Sequence, residues 1–133
     1  MKICNINSIK FLFITILIVV NFILLITYQF YDYQLMFHSD SAGKVLLARE
    51  IVSTGEYFPH DWNFVNSDLR VFWGHTFIVP LLAFLPAGFT THAISGLIFS
   101  LLILSGVWFV TGIPKIGYIR RLLIMAIVTS GIS

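Results

Sequence analysis

Acidic side chains are confined to one part of the sequence, between residues 32 and 68. Within it, the stretch 37–58 (FHSDSAGKVLLAREIVSTGEYF) combines carboxylates with an imidazole, an ammonium group and a guanidinium. Carboxylates and imidazoles can exchange protons, and basic side chains can bind anions. The sequence therefore offers acid–base chemistry or anion binding here, and the rest of the chain must position these groups. The acidic residues are Asp32, Asp40, Glu50, Glu56, Asp61 and Asp68.

Other chemistries lack the residues they need. The single cysteine, Cys4, cannot form an internal disulfide, and structural zinc sites built from cysteine pairs are excluded. His60 beside Asp61 suggests a metal site or proton relay, but adjacent side chains usually point apart, which favours solvated loop residues. Phosphate-binding glycine loops, nucleophile elbows, zinc-protease motifs and nucleic-acid signatures do not occur. We predict no metal, no cofactor and no nucleic-acid partner.

The composition of the whole chain is that of a membrane protein. Of its 133 residues, 58% are hydrophobic and 11% are charged, and the mean hydropathy is +0.92. These values lie far outside the range of ordinary soluble domains. We predict an all-α integral membrane protein with about three transmembrane helices and an incomplete fourth, forming one domain over residues 1–133.

The apolar runs locate the predicted membrane spans, since a helix needs roughly 20 residues to cross the hydrocarbon core. The first run is too long for a signal peptide and lacks a small-residue cleavage site, which favours an uncleaved anchor. Pro80 and Pro86 interrupt the second run and should kink or shorten it. The predicted segments are a span at 11–30, an outer loop at 31–70, a span at 71–89, a span at 92–110 and a partial span at 122–133.

The short last apolar run and a pair of small residues both suggest contacts with further transmembrane helices. The last apolar run has twelve residues and cannot cross a bilayer, so we expect the N-terminal piece of a longer protein, with a re-entrant or interfacial tail as the alternative. Gly96 and Ser100 form a small-x-x-x-small pair at which another transmembrane helix could pack. Ordinary small residues facing lipid explain this pair equally well.

The positions of the basic residues predict how the first span is oriented in the membrane. Lys2 and Lys10 precede the first span, and positive residues at that position usually stay in the cytoplasm. If both later spans cross, two basic residues lie inside and six outside, which opposes this orientation. If the proline-broken segment dips in and returns, five lie inside and three outside. We predict that residues 31–70 face the periplasm at a bacterial inner membrane, and we leave the depth of the second span open.

The outer loop has a helical segment of its own. Residues 41–53 are mostly good helix formers, Gly55 is placed to end the helix, and Ser39, Asp40 or Ser41 could cap its start. The apolar face of this helix predicts that it lies along the membrane surface. Lys44 falls on that face and would have to snorkel. The face consists of Val45, Leu47, Ala48, Ile51 and Val52.

The order of a basic N-terminus, one span, HSDSAGKVLLAREIVSTGEYF and a proline-containing span resembles the start of GT-C type membrane glycosyltransferases. This family includes protein O-mannosyltransferases and lipid A aminoarabinose transferases, which take a sugar from a polyprenyl phosphate carrier on the outer membrane face. The resemblance covers 11–86. Asp40 matches the acidic residue that follows the first span, and Gly55, Tyr57 and Phe58 match a turn after an interfacial helix. The family often has two acidic residues together, whereas Ser41 follows Asp40 here.

The resemblance implies roles for four residues. Asp40 would be the general base that takes the acceptor's proton, and Arg49, Arg70 or His75 would bind the donor's leaving phosphate. A helix N-cap alone explains Asp40 equally well. The expected partners are the lipid bilayer, a polyprenyl-phosphate-linked sugar and other transmembrane helices. The expected activity is sugar transfer, although this chain alone is expected to be inactive. The alternative is a small non-catalytic membrane protein, either an accessory subunit or a partner in lipid-carrier transport.

Overall fold

The computed structural model describes residues 6–35, 37, 39–62, 75–114 and 116–132. Within these ranges all regular secondary structure is helical, which confirms the predicted all-α class for the described part of the chain. A π-helical turn, Tyr28–Asp32, continues the first helix into the second. The α-helices are α1 (Ile6–Thr27), α2 (Tyr33–Leu35), α3 (Ser39–Thr54), α4 (Ile78–Leu81), α5 (Phe89–Gly112) and α6 (Tyr118–Ile132).

Two stretches among the described residues are long and apolar enough to cross a membrane. They are Asn7–Leu35, which contains α1, and α5. At 1.5 Å per residue, α1 and α5 are about 33 and 36 Å long, which matches a hydrocarbon core of about 30 Å. Large apolar side chains of both helices point away from the protein, as Phe13 and Phe109 do with 68% and 74% exposure. Such surfaces suit lipid and would be costly in water.

The proline-containing segment forms no long helix in its described part, residues 75–89. Helix α4 ends at Leu81, and turns and bends follow it. Beyond these turns, the hydroxyl of Thr91 donates a hydrogen bond to the carbonyl of Pro86 over 2.6 Å. The shortening expected from the prolines is therefore observed. Residues 71–74 lie outside the described part, so a crossing by 71–89 stays a prediction.

The chain divides into two compact units, one comprising 1–28 with 100–133 and the other comprising 29–99. In the first unit, α6 packs along α1. The rings of Phe11 and Tyr118 stack at 6.1 Å near the start of both helices, and Asn21 bonds to Thr129 further along. The two helices are therefore parallel. With 15 residues, α6 is about 22 Å long, so it is shorter than a complete span.

The buried residues of α1 and α6 are regularly spaced. Ile14, Asn21 and Leu25 are buried on α1 at intervals of seven and four residues, and Ala126 and Thr129 are buried on α6 three residues apart. This spacing keeps one narrow face of each helix toward its neighbour, as in coiled-coil packing. The rest of α1 stays exposed, apart from its partly covered flanking positions. The buried positions of α1 therefore form one narrow seam.

The second unit contains a small apolar core between α3 and α4. Val45, Ala48 and Ile78 are its buried members, and Phe37, Val79 and Leu82 border it. The predicted helix 41–53 is confirmed and runs from Ser39 to Thr54. It ends as predicted at Gly55, whose φ of 74° lies in the left-handed region and whose N–H donates to the carbonyl of Ile51 over 2.9 Å. This is the geometry of a glycine C-cap.

The predicted apolar face of α3 needs two corrections. Val45, Leu47, Ala48 and Ile51 are buried, but Val52 is 54% exposed. In addition, the buried face packs at least partly on protein, since Val45 and Ala48 contact the core with Ile78. The helical pattern gave the right face, but it could not distinguish burial by lipid from burial by a neighbouring helix.

Gly96 of the small-residue pair also makes a close contact. The side-chain amide of Gln29 lies where a β-carbon at position 96 would be, so any larger residue there would displace it. The contact partner is a side chain from the π-helical turn rather than the backbone of another helix. The small residue therefore serves packing within the second unit.

Candidate functional site

Asp40 lies in the first turn of α3 and is exposed. A carboxylate at this position is stabilised by the unsatisfied N–H groups and the positive end of the helix dipole. The helix begins one residue earlier, at Ser39, so Asp40 lies inside the first turn rather than before it. Its carboxylate is accessible to an outside molecule, which a general base requires, and it also favours the helix electrostatically.

Arg49 is exposed on the same helix, nine residues after Asp40. Nine residues correspond to about 14 Å along the axis and to a rotation of about 180°. The two side chains therefore leave α3 on opposite faces. A single small group, such as a phosphate next to an acceptor hydroxyl, cannot contact both on this helix.

His75 is fully buried, and Arg70 lies outside the described residues. The ring of Tyr57 lies 5.5 Å from the His75 imidazole, and the Tyr57 hydroxyl hydrogen-bonds the hydroxyl of Thr76 over 2.9 Å. His75 could contact a leaving phosphate only if this cover opened. The shared site predicted for Asp40, Arg70 and His75 stays a prediction.

A polar group that the sequence analysis missed lies at the start of α5. The hydroxyls of Tyr33 and Ser41 are 2.6 Å apart, and Ser41 is buried. The Tyr33 ring stacks on the imidazole of His92 at 5.7 Å and 14°. Phe37 meets the same imidazole edge-on at 5.5 Å. The segment before α3, α3 itself and α5 each contribute to this group.

His92 is the central residue of this group. It is 8% exposed, and its Nδ1 has no hydrogen-bond partner among the described residues. An imidazole and two hydroxyls can donate and accept protons. The polar triplet Thr90–His92 at the head of an apolar run was the signal that could have pointed to this group.

A second missed residue is Asn21, the amide within the apolar run of α1. Its Nδ2 donates to the carbonyl of Ala126 over 3.1 Å and to the hydroxyl of Thr129 over 3.3 Å. Asn21 is 7% and Thr129 2% exposed. A polar side chain inside an apolar helix usually pairs with a neighbouring helix, so the residue type was itself a signal. Its role here is to join α1 and α6.

A third group lies at the opposite end of the α1–α6 pair. The Arg121 guanidinium lies 3.9 Å from the centre of the Trp108 ring, and its Nη2 donates to the Trp108 carbonyl over 2.7 Å. The Tyr118 ring contacts Trp108 edge-on at 5.8 Å and stacks on Phe11. Residues of α1, α5 and α6 thus meet at one end of the first unit.

The described residues contain no group of three or more His, Cys, Asp or Glu side chains that could hold a metal ion.

The described helices define a helical protein with two candidate membrane spans. Neither the protein-family models, nor the curated proteins, nor the solved structures include a match to this sequence.

Proposed function

We propose that the chain acts in a GT-C type membrane glycosyltransferase, which moves a sugar from a polyprenyl-phosphate carrier to an acceptor at the outer face of a bacterial inner membrane. The observation that carries the proposal is the exposed carboxylate of Asp40, at the head of a helix that closely follows the first candidate span. A base that serves a membrane-bound donor and a polar acceptor must be accessible near the interface.

The ring contacts among Phe11, Tyr118 and Trp108 support the membrane topology that this proposal needs. They bring the start of α1 and the end of α5 to the same end of the first unit. If α1 and α5 both cross the membrane, they cross in opposite directions. Residues 36–88 then begin and end on one face, and the segment 75–88 is too short to cross twice.

The distribution of basic residues fits this topology with residues 36–88 outside. Five basic residues then lie at the inner face, namely Lys2, Lys10, Lys115, Arg120 and Arg121, and three lie outside. This excess has the sign of the positive-inside rule. The proposal thus has two complete crossings, by α1 and α5, and a third partial one by α6. It replaces the three complete spans expected from the sequence.

The chemical roles follow from the placement of the side chains. Asp40 takes the proton of the acceptor in this proposal. Arg49 leaves α3 on the opposite face, so the cation at the leaving phosphate is Arg70 or, after its cover opens, His75. Charged donors at a leaving phosphate stabilise the negative charge that develops there.

Replacement of Asp40 by Asn tests the proposal. Asn keeps the size of the side chain but cannot act as a base, so we expect transfer to fall about a hundredfold or more. Transfer from a polyprenyl-phosphate sugar would be measured in membranes that contain the whole protein, together with its expression level. Asp61→Asn, which alters another exposed carboxylate, is the matched control. Full transfer by the Asp40 variant would exclude its catalytic role.

A non-catalytic membrane protein, such as an accessory subunit or a lipid-carrier transport partner, is the second candidate. The observation that favours it is that Asp40 and Arg49 leave α3 on opposite faces. This candidate predicts that Asp40→Asn has no effect, and that loss of the protein reduces the activity or abundance of another membrane protein. Absence of transfer by the wild-type chain and its natural partners would favour it over the enzyme.

A further inference from the structure

One end of the first unit combines exposed basic side chains with aromatic rings. We call this surface the basic–aromatic end; it consists of Lys10, Phe11, Trp108, Tyr118, Arg120 and Arg121. We propose that it binds the phosphates of anionic phospholipid headgroups. The inference depends on insertion of α1 and α5 into a membrane, and it is independent of sugar transfer.

The aromatic members suit the headgroup region. Phe11 and Tyr118 are 42% and 55% exposed although their rings stack on each other. Tyrosine and tryptophan rings concentrate at membrane interfaces, where one part of the ring contacts acyl chains and the other contacts water. The rings therefore place this end of the helices at headgroup depth.

The basic members have no acidic counterpart in the same unit. Every Asp and Glu of the chain lies between positions 32 and 68, whereas this unit comprises 1–28 and 100–133. Lys10 and Arg120 are exposed, and Arg121 is half-buried. Their positive charge is not neutralised by carboxylates of the unit, so an outside anion is the complementary partner. In a bilayer the abundant anions at this depth are lipid phosphates.

Arg121 has a geometry suited to a phosphate. Stacking on Trp108 and the bond from Nη2 to the Trp108 carbonyl hold its guanidinium in place. Its Nε–H is buried and has no hydrogen-bond acceptor among the described residues. The fork of a guanidinium matches two oxygens of one phosphate. The exposed Arg120 and Lys10 would attract a headgroup phosphate to this end. After a small tilt of the Arg121 side chain, this phosphate would accept the hydrogen bond from Nε–H.

Lipid retention by the purified full-length chain tests the proposal. Native mass spectrometry would compare bound phosphatidylglycerol with bound phosphatidylcholine for the wild type and for Lys10→Gln and Arg120→Gln. Both residues are exposed, so these variants should keep the fold, which circular dichroism verifies. We expect a preference for phosphatidylglycerol that falls about fivefold for each charge removed.

Two further variants separate a site from general charge attraction. Arg49→Gln removes an exposed basic residue of the other unit and should leave retention unchanged. Arg121→Lys keeps the charge but loses the fork, and should lower retention of phosphatidylglycerol. Equal retention of the two lipids by the wild type would overturn the proposal. An equal loss for Arg49→Gln and Arg120→Gln would overturn it as well.

Discussion

Asn21 shows how much a single polar side chain can specify in an apolar helix. Many residues of α1 could face lipid, but only certain rotations of the helix allow the Asn21 amide to reach Thr129 and the carbonyl of Ala126. Hydrogen bonds between transmembrane helices contribute modestly to stability, about 0.6 kcal/mol on average. The Asn21 amide therefore contributes more to fixing the rotation of α1 against α6 than to stabilising their contact.

A double-mutant cycle tests this role. Asn21→Leu and Thr129→Val each remove one side of the contact while largely keeping the shape, and we expect a coupling free energy of about 0.5–1.7 kcal/mol between them. The measurement is the free energy of unfolding in detergent micelles. Thr15→Val is the control, because its hydroxyl bonds only locally, to the carbonyl of Phe11. A coupling near zero would show that the contact does not stabilise the pair.

For individual residues, the sequence predicted the position of Asp40 on its helix but not the contacts of Asn21 and His92. Asp40 was expected in the outer loop next to the start of a helix, and it lies in the first turn of α3. Its relation to Arg49 could have been derived from the helical repeat alone. The contacts of Asn21 and His92 could not be derived, because their partners on other segments are far away in sequence.

Helix α3 illustrates what can be predicted for a whole element. Its composition and the glycine that follows it gave its bounds to within two residues, since both signals are local. Its environment was not predictable in the same way. Part of its buried face packs on α4, a four-residue helix within a segment that the sequence predicts as a membrane span. Element type depends on local sequence, whereas burial depends on the remaining chain.

Replacement by alanine should change stability in opposite directions at Gly43, within α3, and at Gly55, which ends it. Gly43 lies within the helix with open space around a β-carbon, so Gly43→Ala should stabilise the chain by about 0.5–1 kcal/mol. Gly55 has a φ of 74°, so Gly55→Ala should destabilise it by about 1–2 kcal/mol. Thermal unfolding followed by circular dichroism would measure both. Equal effects of the two substitutions would contradict the predicted cap at Gly55.

At the scale of the molecule, the topology is the most consequential prediction. We expect cysteines at Ser53 and Ala87, both exposed, to be labelled by an impermeant reagent from outside the cell. A cysteine at Gly117, in the connection between α5 and α6, should react only after the inner face is opened. The native thiol would first be removed by Cys4→Ser. Labelling of positions 53 and 87 from opposite faces would show that the proline-containing segment crosses the membrane.

The number of apolar segments alone could not have given this topology. Four apolar runs in the sequence allowed either a crossing or a re-entrant second segment. The charge rule opposed the predicted orientation in the first case and supported it in the second. The ring contacts at the start of α1 and the end of α5 supply the missing relation. They depend on α6 folding back parallel to α1, which no local pattern encodes.

The bond between Asn21 and Ala126 also bears on how the chain is made. The two residues are 105 positions apart, and ribosomes add about 5–20 residues per second. Roughly 5–20 s therefore pass between the synthesis of Asn21 and that of the residue whose carbonyl accepts its amide. During that interval a lipid-facing asparagine is open to contact with other helices at the insertion site. Early events of membrane insertion, rather than the final fold alone, would then place selection on this position.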